Sequence, residues 1–245
     1  VTFCIGVRVR AGIVVLADTR VVRGSEISQK SKLSMFDVNE YEAALMTSGL
    51  RSVRDKVVAR LDDRLSAGDR YERLHEFATA YGTALRAVRE EDEASLTTGG
   101  MSFNSHAILG GRLVGDTEPS LFQVYPEGNW VEATDDAPYF VIGRTSYGKP
   151  ILDRLLTVES TLRQAVVLAY LAFDATRASA TDVDFPVDVA VLPRDSTRFR
   201  RQRFQFDDLS PVHHEWHNQL RAALDELPDQ WVSSLVDDPN DDPAP

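Results

Sequence analysis

Residues 3–10 (FCIGVRVR) alternate apolar and polar positions, Ala11-Gly12 supplies a turn, and Ile13-Val14-Val15-Leu16-Ala17 form an unbroken apolar run that ends at Asp18. Alternation of period two marks a half-buried strand, and a short continuous apolar run marks one covered on both faces, so the pair reads as a β-hairpin with a buried second strand. Residues 32–36 and 42–47 give a second strand pair, joined through Asp37–Tyr41. Four short strands are thus expected first.

From Leu50 the period changes. Val53, Val57, Leu61 and Leu65 recur at i, i+4 spacing up to Gly68, and Leu74, Phe77, Tyr81, Leu85 and Val88 carry a second helix into the acidic stop Glu90-Glu91-Asp92-Glu93. A second strand block spans about 101–143, with Gly110-Gly111 and Glu127-Gly128-Asn129 as turn signals. Helices follow over Tyr147–Leu156 and Ser160–Arg177, the latter with Leu162, Val166, Ala169, Tyr170 and Phe173 on one stripe. Phe185–Leu192 and Arg203–Phe206 read as strands, and Pro211–Leu227 as a last amphipathic helix. Strands and helices in segregated blocks predict antiparallel sheets layered with helices, an α+β fold. One domain is expected over residues 1–230, followed by an acidic, disordered tail over 231–245; Val236–Pro245 alone holds four Asp and three Pro.

Charge and composition narrow the function. The 245 residues carry 27 Lys+Arg against 38 Asp+Glu, a formal charge of −11, which argues against nucleic acid as the main partner. No apolar run approaches the roughly 20 residues of a membrane-spanning helix. The single cysteine, Cys4, excludes an internal disulfide and reads as a small core hydrophobe rather than a nucleophile. The cytoplasm is the expected compartment. Lysine is scarce, at positions 30, 32, 56 and 149 only. The chain begins Val1-Thr2, so removal of residue 1 would leave threonine at the N-terminus.

An N-terminal threonine is a specific chemical device. Its α-amino group, with an ordinary pKa of about 7.7–8.0, can accept the proton of its own hydroxyl near neutral pH. Such a site needs a lysine to keep the local potential positive, a carboxylate to hold that lysine, and a backbone N–H for the developing oxyanion. Thr2 opens the first strand and Asp18 ends its hairpin partner, which brings the two together. Lys32 opens the third strand, and Gly49 stands where a strand turns into a helix.

The segments Thr2-Phe3-Cys4-Ile5-Gly6, Ala17-Asp18-Thr19-Arg20, Lys32-Leu33 and Thr47-Ser48-Gly49-Leu50 resemble the opening of proteasome β-type subunits, which are N-terminal nucleophile hydrolases. The stretch Ile142-Gly143-Arg144-Thr145-Ser146-Tyr147-Gly148-Lys149-Pro150-Ile151-Leu152-Asp153-Arg154 narrows the resemblance to the Anbu family of bacterial, proteasome-related ancestral β subunits. It covers about residues 2–230. It implies a four-layer αββα sandwich of two antiparallel sheets flanked by helices. It further implies Thr2 as nucleophile and base, Asp18 and Lys32 as its electrostatic supports, Gly49 as oxyanion donor, and Thr145 or Ser146 as an assisting hydroxyl. The family's further aspartate falls near Ser179-Ala180, where no carboxylate stands, although Asp182 or Asp184 could approach.

By the same alignment Val21, Lys30, Thr47 and Arg51 line the pocket for the residue before the scissile bond, and two cations there favour acidic or polar side chains. The expected activity is a threonine peptidase or amidase acting on peptide or protein substrates, in a homo-oligomeric ring or open-ring stack whose contacts use the helices around 50–93. The alternative is a structural subunit of such an assembly with little or no hydrolysis. No cofactor is expected, and since no ATP-binding loop occurs, a partner ATPase would be a separate protein. His213 and His217 lie i, i+4 on the last helix and could share a metal. Their spacing is not that of HExxH, and a solvated helix face is the preferred reading, with no metal expected.

Overall fold

The N-terminal hairpin forms as its pattern demands. Strand β1 (Phe3–Val9) pairs antiparallel with β2 (Gly12–Asp18), with Cys4 opposite Ala17, and β2 is buried along its whole length. Every side chain of β2 is covered because the strand is flanked in its sheet and sandwiched between layers. The computed structural model describes residues 2–236. Val1 and the acidic stretch from Asp237 on lie outside the described residues. The chain divides into two compact units, Val1–Gln205 and Phe206–Pro245.

In the first unit two five-stranded antiparallel sheets stack face to face. One has the order β10-β1-β2-β11-β12, where β10 is Tyr139–Gly143, β11 is Val187–Pro193 and β12 is Arg200–Phe204. The other has the order β5-β6-β7-β8-β9, over Leu33–Val38, Tyr41–Gly49, Ser105–Gly111, Ser120–Val124 and Trp130–Glu132. Cys4, Ile13, Val15, Ala44, Met46, Ile108 and Leu121 fill the layer between the sheets.

Helices α1 (Arg51–Ser66) and α2 (Leu74–Thr98) cover the outer face of the second sheet with Val53, Val57, Leu61, Phe77, Tyr81 and Leu85. Full burial of such side chains contributes about 1.5–3 kcal/mol each. Phe77 meets Phe36 and Tyr71 edge to face, with both pairs of ring centroids 5.3 Å apart. Helix α4 (Leu162–Ser179) covers the first sheet, where Phe173 packs on Phe3, and α3 (Lys149–Leu155) packs against α4. Thr161 caps α4, accepting from the Gln164 N–H while the Gln164 side chain accepts from the Thr161 N–H. This is the four-layer αββα sandwich implied by the family resemblance.

Four local expectations are corrected. Gly110-Gly111 is no turn but the end of β7, where Gly111 faces the Glu42 carbonyl so closely that a Cβ would stand 2.9 Å from its oxygen. Glycine there serves close strand approach. Helix α2 runs through Glu90–Glu93 to Thr98 because those carboxylates are paired: Asp92 with Lys56, Glu91 with Arg60, and Glu93 with Arg89. A two-stranded ribbon that the pattern did not reveal, β3 (Arg20–Arg23) and β4 (Glu26–Gln29), stands apart from both sheets. Its second strand is exposed on both faces and so carries no alternation to read. Strand β12 begins at Arg200 rather than Arg203, since pairing with β11 selects it where apolar content does not.

In the second unit, helix α5 spans Phe206–Asp225 and so begins before Pro211, which lies inside it. The His213 and His217 rings stack on one face with centroids 4.2 Å apart. Among the described residues no helix is long and apolar enough to cross a membrane.

Candidate active site

Thr2 immediately precedes β1 and is 8% exposed. Its backbone is fixed from one side: the Arg144 N–H donates to the Thr2 carbonyl over 2.8 Å, next to the register pair Phe3–Gly143. Gly143 has φ of +90°, and a Cβ there would stand 1.8 Å from the Thr2 carbonyl oxygen. Only glycine lets β10 pass this close. Sequence reasoning placed Gly143 in a motif without seeing this role, because nothing in a single sequence reports a backbone approach of that kind.

Asp18, at the end of β2, is fully buried. Its Oδ1 accepts both the Phe3 N–H at 2.8 Å and the Lys32 ammonium at 2.6 Å, and Lys32 also donates to the Arg20 carbonyl at 2.7 Å. The hairpin register accounts for the first bond, since it brings Asp18 level with the strand start. Lys32, itself only 9% exposed, reaches Asp18 from the segment that leads into β5. Burial pushes the Asp18 carboxyl up from its ordinary pKa, against the pull of Lys32 and of the Phe3 N–H. Among the described residues Asp18 Oδ2 has no hydrogen-bond partner.

A cleft of about 700 Å³ opens here, and Thr2, Lys32, Gly49 and Thr145 all line it. Gly49, with φ of +123°, ends β6 one residue before the N-cap of α1, and the Leu50 N–H donates to the Asn104 carbonyl at 2.9 Å. Val21, Lys30, Thr47 and Arg51 line the same cleft, whereas Ser146 is not among its lining residues. Arg20, Arg54 and His106 join them, and the sequence had not singled these out. The i, i+3 spacing of Arg51 and Arg54 at a helix start was the available signal. Cys4 is fully buried between the sheets, where burial raises its thiol pKa, in keeping with a core role.

A model of proteasome subunits matches residues 2–192. The chain belongs to the proteasome-subunit family. A solved Anbu (Gly-1) mutant from a Hyphomicrobium strain is 34% identical, with a TM-score of 0.85 over 94% of this chain and 99% of that one. Anbu from Yersinia bercovieri is 30% identical, with a TM-score of 0.84 over 93% and 98% of the two chains. A structure described as the helical assembly of the Anbu complex from Pseudomonas aeruginosa is 29% identical, with a TM-score of 0.86 over 93% and 97%. No curated protein matches the sequence.

Ser179-Ala180, where the family resemblance led a further aspartate to be expected, carry no carboxylate. The two nearby carboxylates are engaged by arginines. Asp182 pairs with Arg144 at 3.0 Å and Asp184 with Arg20 at 2.6 Å. Arg144 is the residue whose N–H holds Thr2, so Asp182 meets the site through that arginine.

Proposed function

We propose that the protein is an N-terminal threonine hydrolase that cleaves peptide or amide bonds, with Thr2 as nucleophile once residue 1 has been removed. The observation that carries this reading is the buried Asp18 oxygen that binds the strand start and Lys32 together beside the cleft. A buried carboxylate and ammonium at a strand end are costly to desolvate, and a core needs neither. Their proximity to Thr2 gives them a use: Lys32, held in place by Asp18, supplies the positive potential that keeps a free threonine amine neutral.

In the reaction the Thr2 hydroxyl attacks the substrate carbonyl and its proton passes to the α-amine. The Gly49 N–H donates to the oxyanion of the tetrahedral intermediate. Collapse forms an ester on Thr2 and expels the amine product, which takes the proton. Water, deprotonated by the same α-amine, then hydrolyses the ester and restores the hydroxyl. Thr145 supplies a hydroxyl at the cleft wall.

The test is mass spectrometry of the N-terminal peptide after treatment with a peptide β-lactone. Ring opening by the Thr2 hydroxyl adds the whole reagent mass as an ester. The expected adduct lies on Thr2 of a chain that begins at Thr2 and is missing from Thr2→Ala. A chain that begins at Thr2 yet gains no adduct would sink the hydrolase reading.

A second reading, a subunit whose main role is assembly, is favoured by the lack of a carboxylate at Ser179-Ala180. Retention of residue 1 in the cellular protein supports it. In either reading we infer a homo-oligomer, ring or open-ring stack, on the strength of the assembly described for the Pseudomonas relative.

A further inference from the structure

The chain carries a formal charge of −11, yet its cleft is lined by Arg20, Lys30, Lys32, Arg51 and Arg54 and, among the described residues, by no aspartate or glutamate. Three carboxylates behind the lining answer these five cations. Asp18 holds Lys32 and Asp184 holds Arg20, each at 2.6 Å. Among the described residues the remaining three cations share one carboxylate, Asp55, at 3.8 Å from Lys30, 3.2 Å from Arg51 and 3.4 Å from Arg54, and Arg54 also donates to the Ser34 hydroxyl at 2.7 Å. Charge-assisted pairs normally close to about 2.7–2.9 Å, so none of the three is saturated. Nε of Arg54 is buried and, among the described residues, has no hydrogen-bond partner. Arg51 and Arg54 also stand in the first turn of α1, which has no acidic residue there, although cations are disfavoured at the positive end of a helix dipole. Two arginines kept in an unfavourable place, around one half-exposed aspartate, fit a ligand that brings its own negative charge.

We propose that the cleft takes acidic peptides, whose side-chain carboxylate binds Lys30, Arg51 and Arg54 from the cleft side, in competition with Asp55 behind them. Asp55 is then a specificity-determining residue that touches no substrate: an internal anion that holds the three cations in position and competes with the ligand for them. For the side of the scissile bond concerned, the inference rests on the hydrolase reading. The charge preference itself does not.

Equilibrium binding separates the two. Full-length Thr2→Ala protein is titrated into fluorescein-labelled tetrapeptide amides that differ only at the last residue, Glu, Gln, Leu or Arg, with anisotropy as readout. The Glu peptide is expected to bind about tenfold tighter than the Gln peptide at low salt, the scale of a charge-assisted over a neutral hydrogen bond. Most of that margin should vanish in 0.5 M salt. Lys30→Gln and Arg51→Gln should each shrink the Glu margin severalfold, whereas Asp55→Asn should widen it, a gain that misfolding cannot mimic. Equal affinity for Glu and Gln, tighter binding of Leu or Arg, no binding of any peptide, or a weakened Glu margin in Asp55→Asn would each overturn the proposal. A preserved Glu margin in a protein that forms no Thr2 adduct would retain it while the hydrolase reading falls.

Discussion

Lys32→Met should lower the stability of the fold by about 3–5 kcal/mol at pH 7.5, the usual cost of stranding one member of a buried ion pair. Methionine fills much the same volume, so the loss is electrostatic. Asp18 keeps a single donor, the Phe3 N–H, while its second oxygen already has none. The sign of the pH dependence follows from the direction of the Asp18 shift. Burial already raises this carboxyl in the intact protein, and removal of Lys32 raises it further. A carboxyl whose folded pKa lies above the unfolded value, about 3.9, contributes stability below that value and loses it as pH rises through the folded pKa. The deficit of Lys32→Met should therefore be small near pH 4 and largest at pH 8. Urea unfolding at pH 4.5, 6 and 8 measures it. The double variant Lys32→Met/Asp18→Asn removes the charge altogether and should recover about 2 kcal/mol at pH 7.5 with no pH slope. A deficit under about 1 kcal/mol, well below the range for a broken buried pair, or one that does not change with pH would show that Asp18 is not held as the geometry indicates.

The second large effect is expected at Gly143. In Gly143→Ala the new methyl would lie 1.8 Å from the Thr2 carbonyl oxygen and 2.6 Å from its carbon, so the strand start must move. Backbone strain of this kind costs about 1–3 kcal/mol. The larger consequence is the loss of the Phe3–Gly143 register pair and, with it, of the placement of Thr2 over the Asp18–Lys32 pair. Adduct formation at Thr2 should fall by two orders of magnitude or more, as about 1 Å of displacement is enough to cost. Gly68→Ala is the control. Its φ of +96° is similar, but nothing lies within 4 Å of the added methyl, so it should lose about 1–2 kcal/mol and leave Thr2 untouched. Equal adduct yields in the two variants would show that the contact with Thr2 is not what Gly143 provides.

The elements that the chain announces most clearly are those whose burial has a period. β2 is covered on both faces and reads as an unbroken apolar run; α1 and α2 bury one stripe and read at i, i+4 spacing. Elements held by pairing were harder to see. β12 is an exposed edge strand rich in arginine, selected by its ladder with β11, and the β3–β4 ribbon buries no regular face. Of the expected site residues, Thr2, Asp18, Lys32 and Gly49 follow from the supports an N-terminal threonine needs and Thr145 from the family resemblance; Thr2, Lys32, Gly49 and Thr145 line one cleft, with Asp18 bonded to Lys32. Gly143, Arg54 and Asp55 were not found, because a backbone collision avoided and a counter-ion shared among three cations are properties of three-dimensional approach. Gly110-Gly111 failed for the converse reason: the same residue type that permits a turn also permits two strands and an aliphatic layer to close up.

The β3–β4 ribbon has a consequence for how this cleft can change. Arg20, Val21 and Val22 of β3, and Lys30 just beyond β4, form one wall of it, while Asp18 and Thr2 belong to the sandwich. The ribbon is tied down at its base, where Thr19 donates to the Pro186 carbonyl, Lys30 to the Thr19 carbonyl and Lys32 to the Arg20 carbonyl, and where Arg20 pairs with Asp184. Its tip buries little, and Ile27 is 62% exposed. The ribbon wall of the cleft and the core that holds Thr2 are thus separate modules of the chain. A lineage, or an engineer, can rebuild the first within residues 20–30 and leave the packing of the second intact.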